Sequence, residues 1–169
     1  VSPNPQAPPP PLPAPSPPSF RPLSRPASLP LSLLALLAAS GPTVAVAESL
    51  TGGLVTSAFT DVAGASLVLR GGVVAYATDV KARVLGVDEV LLARAGSVDA
   101  AVAEQMAGGA RSLMGATYGL STPGVAGPGP LYGRAAGTVF VPVGRAGTSR
   151  GTVWDLAGGR EGERGVQRS

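Results

Sequence analysis

The 169 residues suffice for one domain of ordinary size and are too few for two comfortable ones. The chain has neither cysteine nor histidine. That excludes thiolate and imidazole zinc sites, a cysteine nucleophile and a Ser-His-Asp triad, so acid–base chemistry near neutral pH falls to a carboxylate, a tyrosine or a lysine of shifted pKa. A formal charge of +3 comes with only 14% charged residues and scattered arginines, so no nucleic-acid partner is expected.

Most of the 18 prolines precede residue 31, and most of the 24 glycines follow residue 40. Residues 1–30, with the run PPPPLPAPSPP, favour polyproline II and lack apolar residues to offset chain entropy, so a disordered leader is expected there. Leu31 to Ser40, LSLLALLAAS, has two readings. With Arg21 and Arg25 it resembles the apolar part of a secretory signal; alternatively Leu31 to Ala39 is a first helix with an apolar face, stopped by Ser40, Gly41 and Pro42. The helix is preferred, because the body would otherwise begin with an uncovered strand. The run is too short to span a bilayer, which takes about 20 apolar residues, and no membrane partner is expected.

The body alternates. Thr43 to Ala47 is a strand buried on both faces, broken by Glu48, Ser49, Leu50, Thr51, Gly52 and Gly53, and Leu54 to Thr60 resumes with helical spacing. Gly71 to Ala77 is a second strand, with Thr78 as N-cap of a short helix containing Lys81, Val84 and Leu85. Ser97 caps a longer helix with Val102, Met106, Ala110 and Leu113 on one face. Tyr118 to Ser121 is a third strand, running into the loop Thr122 to Pro130. Thr138 to Val143 and Thr152 to Leu156 pair as a hairpin across the polar turn Gly144 to Gly151. Strands interleaved with helices and then a hairpin predict an α/β domain with a mixed sheet and helices on both faces.

Three segments offer chemistry. The turn Ala47 to Gly53 presents a hydroxyl beside helix N-terminal amides that would hold a phosphate or an oxyanion; its plain alternative is a capped turn, with Ser49 or Thr51 as N-cap. Lys81 is the only lysine beside twelve arginines, and lysine, unlike arginine, loses its proton when desolvated. Tyr76 would bring a hydroxyl near it; a half-buried strand tyrosine and a solvated lysine are the alternative. The Gly- and Pro-rich stretch Ser121 to Pro130 brings amides to a ligand or simply turns, and Arg160 and Arg164 bind phosphate or belong to a solvated tail.

Taken in order, AESLTGG at Ala47 to Gly53, TDVAGAS at Thr60 to Ser66, RGGVVAY at Arg70 to Tyr76, KARVLGV at Lys81 to Val87, GVAGP at Gly124 to Pro128 and GTV at Gly137 to Val139 resemble the CinA C-terminal family, also called PncC. The chain departs from the family's pattern at two places. Pro123 stands where the family has Ser or Thr, and Arg134, Ala135 and Ala136 replace Lys-Pro-Val. The resemblance implies a three-layer α/β/α sandwich over 31–169, with the family's last helix missing after the segment Gly158 to Ser169. It also implies an amidohydrolase that converts nicotinamide mononucleotide to nicotinate mononucleotide and ammonia, without metal or cofactor. Ser49 would be the nucleophile, with Tyr76 and Lys81 assisting proton transfer. Glu48, Thr51, Gly52, Gly53, Gly124, Ala126, Gly127 and Arg160 would meet the substrate. A cytoplasmic protein is expected, and a homodimer stays open. The rival classes are a non-catalytic nucleotide-binding or regulatory module, and an interaction protein working through its PxxP-rich leader.

Overall fold

A computed structural model of the protein describes residues 28–155. In chain order these form α1 (Ser28–Ser40), β1 (Val44–Glu48), α2 (Leu54–Thr60), a 3-10 turn (Ala65–Leu67), β2 (Leu69–Val74), α3 (Thr78–Leu85), α4 (Glu89–Ala95), α5 (Ala100–Met114), β3 (Tyr118–Thr122), β4 (Thr138–Arg145) and β5 (Thr148–Asp155). The strands build the expected mixed sheet in the order β2-β1-β3-β4-β5. β1 runs parallel to both its neighbours, and β4 and β5 are antiparallel additions.

β1 explains the layering. It is buried along its whole length, and successive side chains of a strand leave on opposite faces. Val44 and Val46 pack with Leu34 of α1, Phe59 of α2 and Val68, while Ala45 and Ala47 meet Leu85 of α3, Leu91 and Leu92 of α4, and Val102, Met106 and Ala110 of α5. The result is a three-layer α/β/α sandwich, in which each large buried aliphatic side chain contributes about 1.5–3 kcal/mol. Alanines on the α5 side let the longest helix lie close to the sheet.

Several local expectations change. The second strand ends at Val74, before Tyr76, and α3 takes Ala77 as N-cap, without a side-chain cap from Thr78. α5 is capped by Asp99, whose side chain accepts from the Ala101 N–H, and not by Ser97. An unforeseen helix, α4, precedes it and is capped in the same way by Asp88; its seven residues are too few for a clear period. Leu113 is exposed at the end of α5. The hairpin turn shrinks to Ala146 and Gly147, because the polar flanks Gly144, Arg145 and Thr148 to Gly151 pair as solvent-facing strand.

No helix among the described residues is long and apolar enough to cross a membrane. Of the expected leader, residues 1–27 lie outside the described residues, whereas Ser28 to Pro30 belong to α1, which starts earlier than the expected Leu31; Leu156 and Gly158 to Ser169 also lie outside the described residues.

The topology positions a site. From β1 the chain moves to β2 on one side and later crosses to β3 on the other. The carboxyl ends of β1 and β3 therefore flank the point where the winding reverses, the usual place for a ligand crevice in such sheets.

Candidate active site

Glu48 ends β1 and Thr122 ends β3, and the two pair in register. Beyond them the turns stay joined, since the Leu50 N–H donates to the Thr122 carbonyl over 3.2 Å. Gly124 packs against this turn. A Cβ there would lie 2.5 Å from the end of Leu50 and 2.8 Å from the Thr138 carbonyl oxygen, so only glycine lets the loop approach so closely. The loop is fastened on its far side, where Arg134 lies 3.4 Å from the Asp99 carboxylate and over the Phe140 ring. Gly124 is thus brought against the Ser49 turn, while Gly127, further along the loop, lies by Ala136.

Ser49 leaves the end of β1 toward the α3 side, and Lys81, in the first turn of α3, reaches back to it. The Lys81 Nζ stands 3.2 Å from Ser49 Oγ and 2.9 Å from each of the Ala75 and Tyr76 carbonyl oxygens. The lysine is only 1% exposed and Ser49 8%. Among the described residues no carboxylate forms a salt bridge with it. Burial without a countercharge lowers its pKa from 10.5 to about 8. Of the two expectations for this lysine, the solvated one is overturned.

The geometry also defines where protons go. A neutral lysine amine has two N–H donors and one lone pair. Directed at the two carbonyl oxygens, the hydrogens leave the lone pair toward Ser49 Oγ. Tyr76 enters this arrangement through its main-chain carbonyl, while its side chain is 63% exposed.

Glu48 lies on the other face of the strand and is completely buried. Its Oε2 accepts from the Thr51 hydroxyl (2.7 Å) and the N–H groups of Gly53 (2.8 Å) and Val55 (3.1 Å). Its Oε1 accepts from the N–H (2.7 Å) and hydroxyl (2.6 Å) of Thr56. Burial pushes this carboxyl up, but the Thr56 and Thr51 hydroxyls with the Thr56 and Val55 N–H groups outweigh it and hold its pKa below the ordinary value. Glu48 therefore serves as an internal N-terminal cap for α2, entered through Gly53 at φ 102.

This places several expected contacts differently. The Gly53 N–H is bound to the protein's own carboxylate, Glu48, and the Gly52 N–H to the Ser49 carbonyl, so neither is left for a ligand. The Thr122 hydroxyl, 2.7 Å from Thr51 Oγ1, was not foreseen, nor were Thr56 or the Ala75 carbonyl. A threonine closing a buried strand is a weak signal, and a main-chain acceptor leaves no signature in residue type. Arg160 lies outside the described residues.

Fold and site together define an α/β sandwich with a buried serine–lysine pair at the carboxyl edge of its parallel strands. A family model described as the CinA C-terminal domain matches residues 27–166, and the chain belongs to that family. It is 55% identical over 109 residues to a CinA-like protein of Frankia casuarinae, covering 64% of this chain and 25% of that protein. The chain thus spans about a quarter of that relative's length. The crystal structure of the competence damage-inducible protein A (ComA) of Klebsiella pneumoniae superposes with a TM-score of 0.79 at 30% identity, covering 83% of this chain and 89% of that one. The competence/damage inducible protein CihA of Agrobacterium tumefaciens gives a TM-score of 0.78 at 32% identity over 84% and 88%.

Proposed function

We propose that the chain is a nicotinamide mononucleotide amidohydrolase with Ser49 as nucleophile and Lys81 as general base. The observation that carries this reading is the buried Lys81 amine 3.2 Å from Ser49 Oγ, its other two contacts being neutral carbonyls. A module that only bound nucleotide would gain nothing from sealing its single lysine away from water with no countercharge.

In the proposed reaction Lys81 takes the hydroxyl proton as Ser49 Oγ attacks the carboxamide carbon. The tetrahedral intermediate collapses as Lys81 passes that proton to the departing nitrogen, which leaves as ammonia. Water, deprotonated by the same amine, then attacks the acyl-serine, and collapse returns the proton to Ser49 Oγ and frees the carboxylate product. The Thr51 N–H is the amide of the Thr51 to Gly53 group left for the developing oxyanion, because those of Gly52 and Gly53 are bound within the turn. Tyr76 contributes its carbonyl, which holds one Lys81 hydrogen. Gly124 and Ala126 form the opposite wall.

The test is ammonia release from nicotinamide mononucleotide by the purified chain and by Ser49→Ala. The wild type should turn over and accumulate an acyl-enzyme in rapid-quench experiments, and the variant should do neither. A wild type that binds the nucleotide yet releases no ammonia would refute the enzyme reading in favour of a binding module.

A further inference from the structure

We infer that Glu48 is a positioning residue that sets Ser49 before Lys81, and that its carboxylate closes the N terminus of α2 to the substrate's phosphate. The inference rests on the serine–lysine reading above but concerns a group on the opposite side of the strand.

The connections run in two directions from one residue. Through its main chain, Glu48 accepts from the Ala75 N–H over 2.8 Å, and the carbonyl of Ala75 holds Lys81 Nζ. Through its side chain, Glu48 gathers the Thr51 hydroxyl and the N–H groups of Gly53, Val55 and Thr56. Ser49 lies between these two attachments, with its carbonyl engaged by the Gly52 N–H. The Glu48 cage therefore fixes the main chain from which the Ser49 hydroxyl reaches Lys81.

Counting hydrogens extends the cage to β3. The Thr51 hydroxyl has one hydrogen, and Glu48 can only accept because its carboxylate is ionised. Thr51 must therefore receive the hydrogen of Thr122 across their 2.7 Å contact. The chain Thr122 to Thr51 to Glu48 ties the second wall of the crevice to the nucleophile turn.

The same cage governs specificity. Amides at a helix start ordinarily attract phosphate, but here a buried carboxylate already occupies them, and a second anion would meet both steric exclusion and repulsion. The substrate's phosphate must be held elsewhere, so Glu48 sets the rate of acylation and leaves nucleotide affinity alone.

The experiment compares Glu48→Gln with the wild type below both melting temperatures. It measures nicotinamide mononucleotide affinity by calorimetry, turnover by ammonia release, and covalent labelling of Ser49 by a fluorophosphonate probe, which reads the nucleophile independently of the carboxamide. Labelling and kcat should fall tenfold or more while Kd stays within twofold. Thr56→Val, which removes one hydroxyl donor and keeps the N–H, should show a smaller loss of the same kind and serves if Glu48→Gln does not fold. Weakened Kd at unchanged kcat would make Glu48 a substrate contact and overturn the inference, as would unchanged labelling in both variants. A wild type that resists the probe overturns the serine–lysine reading itself, and the positioning role with it; labelling that is equal in wild type and variants overturns only the positioning role.

Discussion

Glu48 and Lys81 are both ionisable groups sealed in the interior, one next to Ser49 in the chain and the other in contact with its hydroxyl, and their surroundings treat charge in opposite ways. Five donors converge on the Glu48 carboxylate, so the charged form is held and its lone pairs are occupied. Lys81 meets two carbonyls and a hydroxyl, which satisfy its hydrogens without neutralising its charge. Burial alone therefore does not mark a catalytic group. The group left able to exchange a proton near neutral pH is the one whose charged form lacks compensation.

Lys81→Arg tests this contrast most severely. The guanidinium keeps the charge but stays protonated, and it cannot accept the Ser49 proton. Turnover should fall by about 10²–10⁴-fold, the usual worth of a positioned general base, while circular dichroism stays unchanged. Near-normal ammonia release would reduce Lys81 to a binding contact.

A smaller effect follows from the pKa of about 8. Only neutral Lys81 can act as base, so kcat should climb with pH and level off above that value, and at pH 7 it should be roughly a tenth of the plateau. Stability should follow the same group. Its folded pKa lies below the ordinary value of 10.5, so between about 8 and 10.5 the unfolded chain binds more protons and stability rises with pH. Below that window the cost of burying the charge is present in full. Lys81→Met lacks this term, so melting temperatures of wild type and variant should converge on, or cross in favour of, the wild type from pH 8 to 10. Parallel curves would show that the lysine is not desolvated as the structure has it.

Much of this contrast was legible in residue types and order, and the missing part has a physical cause. A strand of small apolar residues followed by a Ser-, Thr- and Gly-rich turn marked the Ser49 segment, and the single lysine stood out among arginines, but a capped turn and a solvated lysine stayed open on residue types alone, and the resemblance drew the two together. The sequence could not tell which polar groups of the turn look outward. The resemblance placed Glu48 at the substrate, but its five hydrogen bonds come from Thr51 to Thr56 through side chains and main chain together, and main-chain donors are invisible in residue identity. The same limit hid the Ala75 and Tyr76 carbonyls. α4 escaped because seven residues show barely two turns of periodicity.

The mildest test compares two carboxylates that do the same job in different surroundings. Glu48 caps α2 from the interior, whereas Asp99 caps α5 at the surface, accepting from the Ala101 N–H at 2.9 Å with one oxygen and meeting Arg134 at 3.4 Å with the other. Glu48→Gln replaces an acceptor by a donor amid buried donors and should cost roughly 1.5–3 kcal/mol. Asp99→Ala removes an ordinary cap, for about 1 kcal/mol. Asp99→Asn keeps an oxygen for the Ala101 N–H and loses only the charge facing Arg134, an exposed pair worth about 0–1 kcal/mol. If that pair does no more than tether the loop, Asp99→Asn should leave kcat unchanged and lower the melting temperature by only a degree or two. A rise in KM with kcat intact would instead show that the Arg134 tether shapes the wall around Gly124 to Gly127. A loss as large as that of Glu48→Gln would mean that burial does not separate the two carboxylates, and the contrast between them would fail.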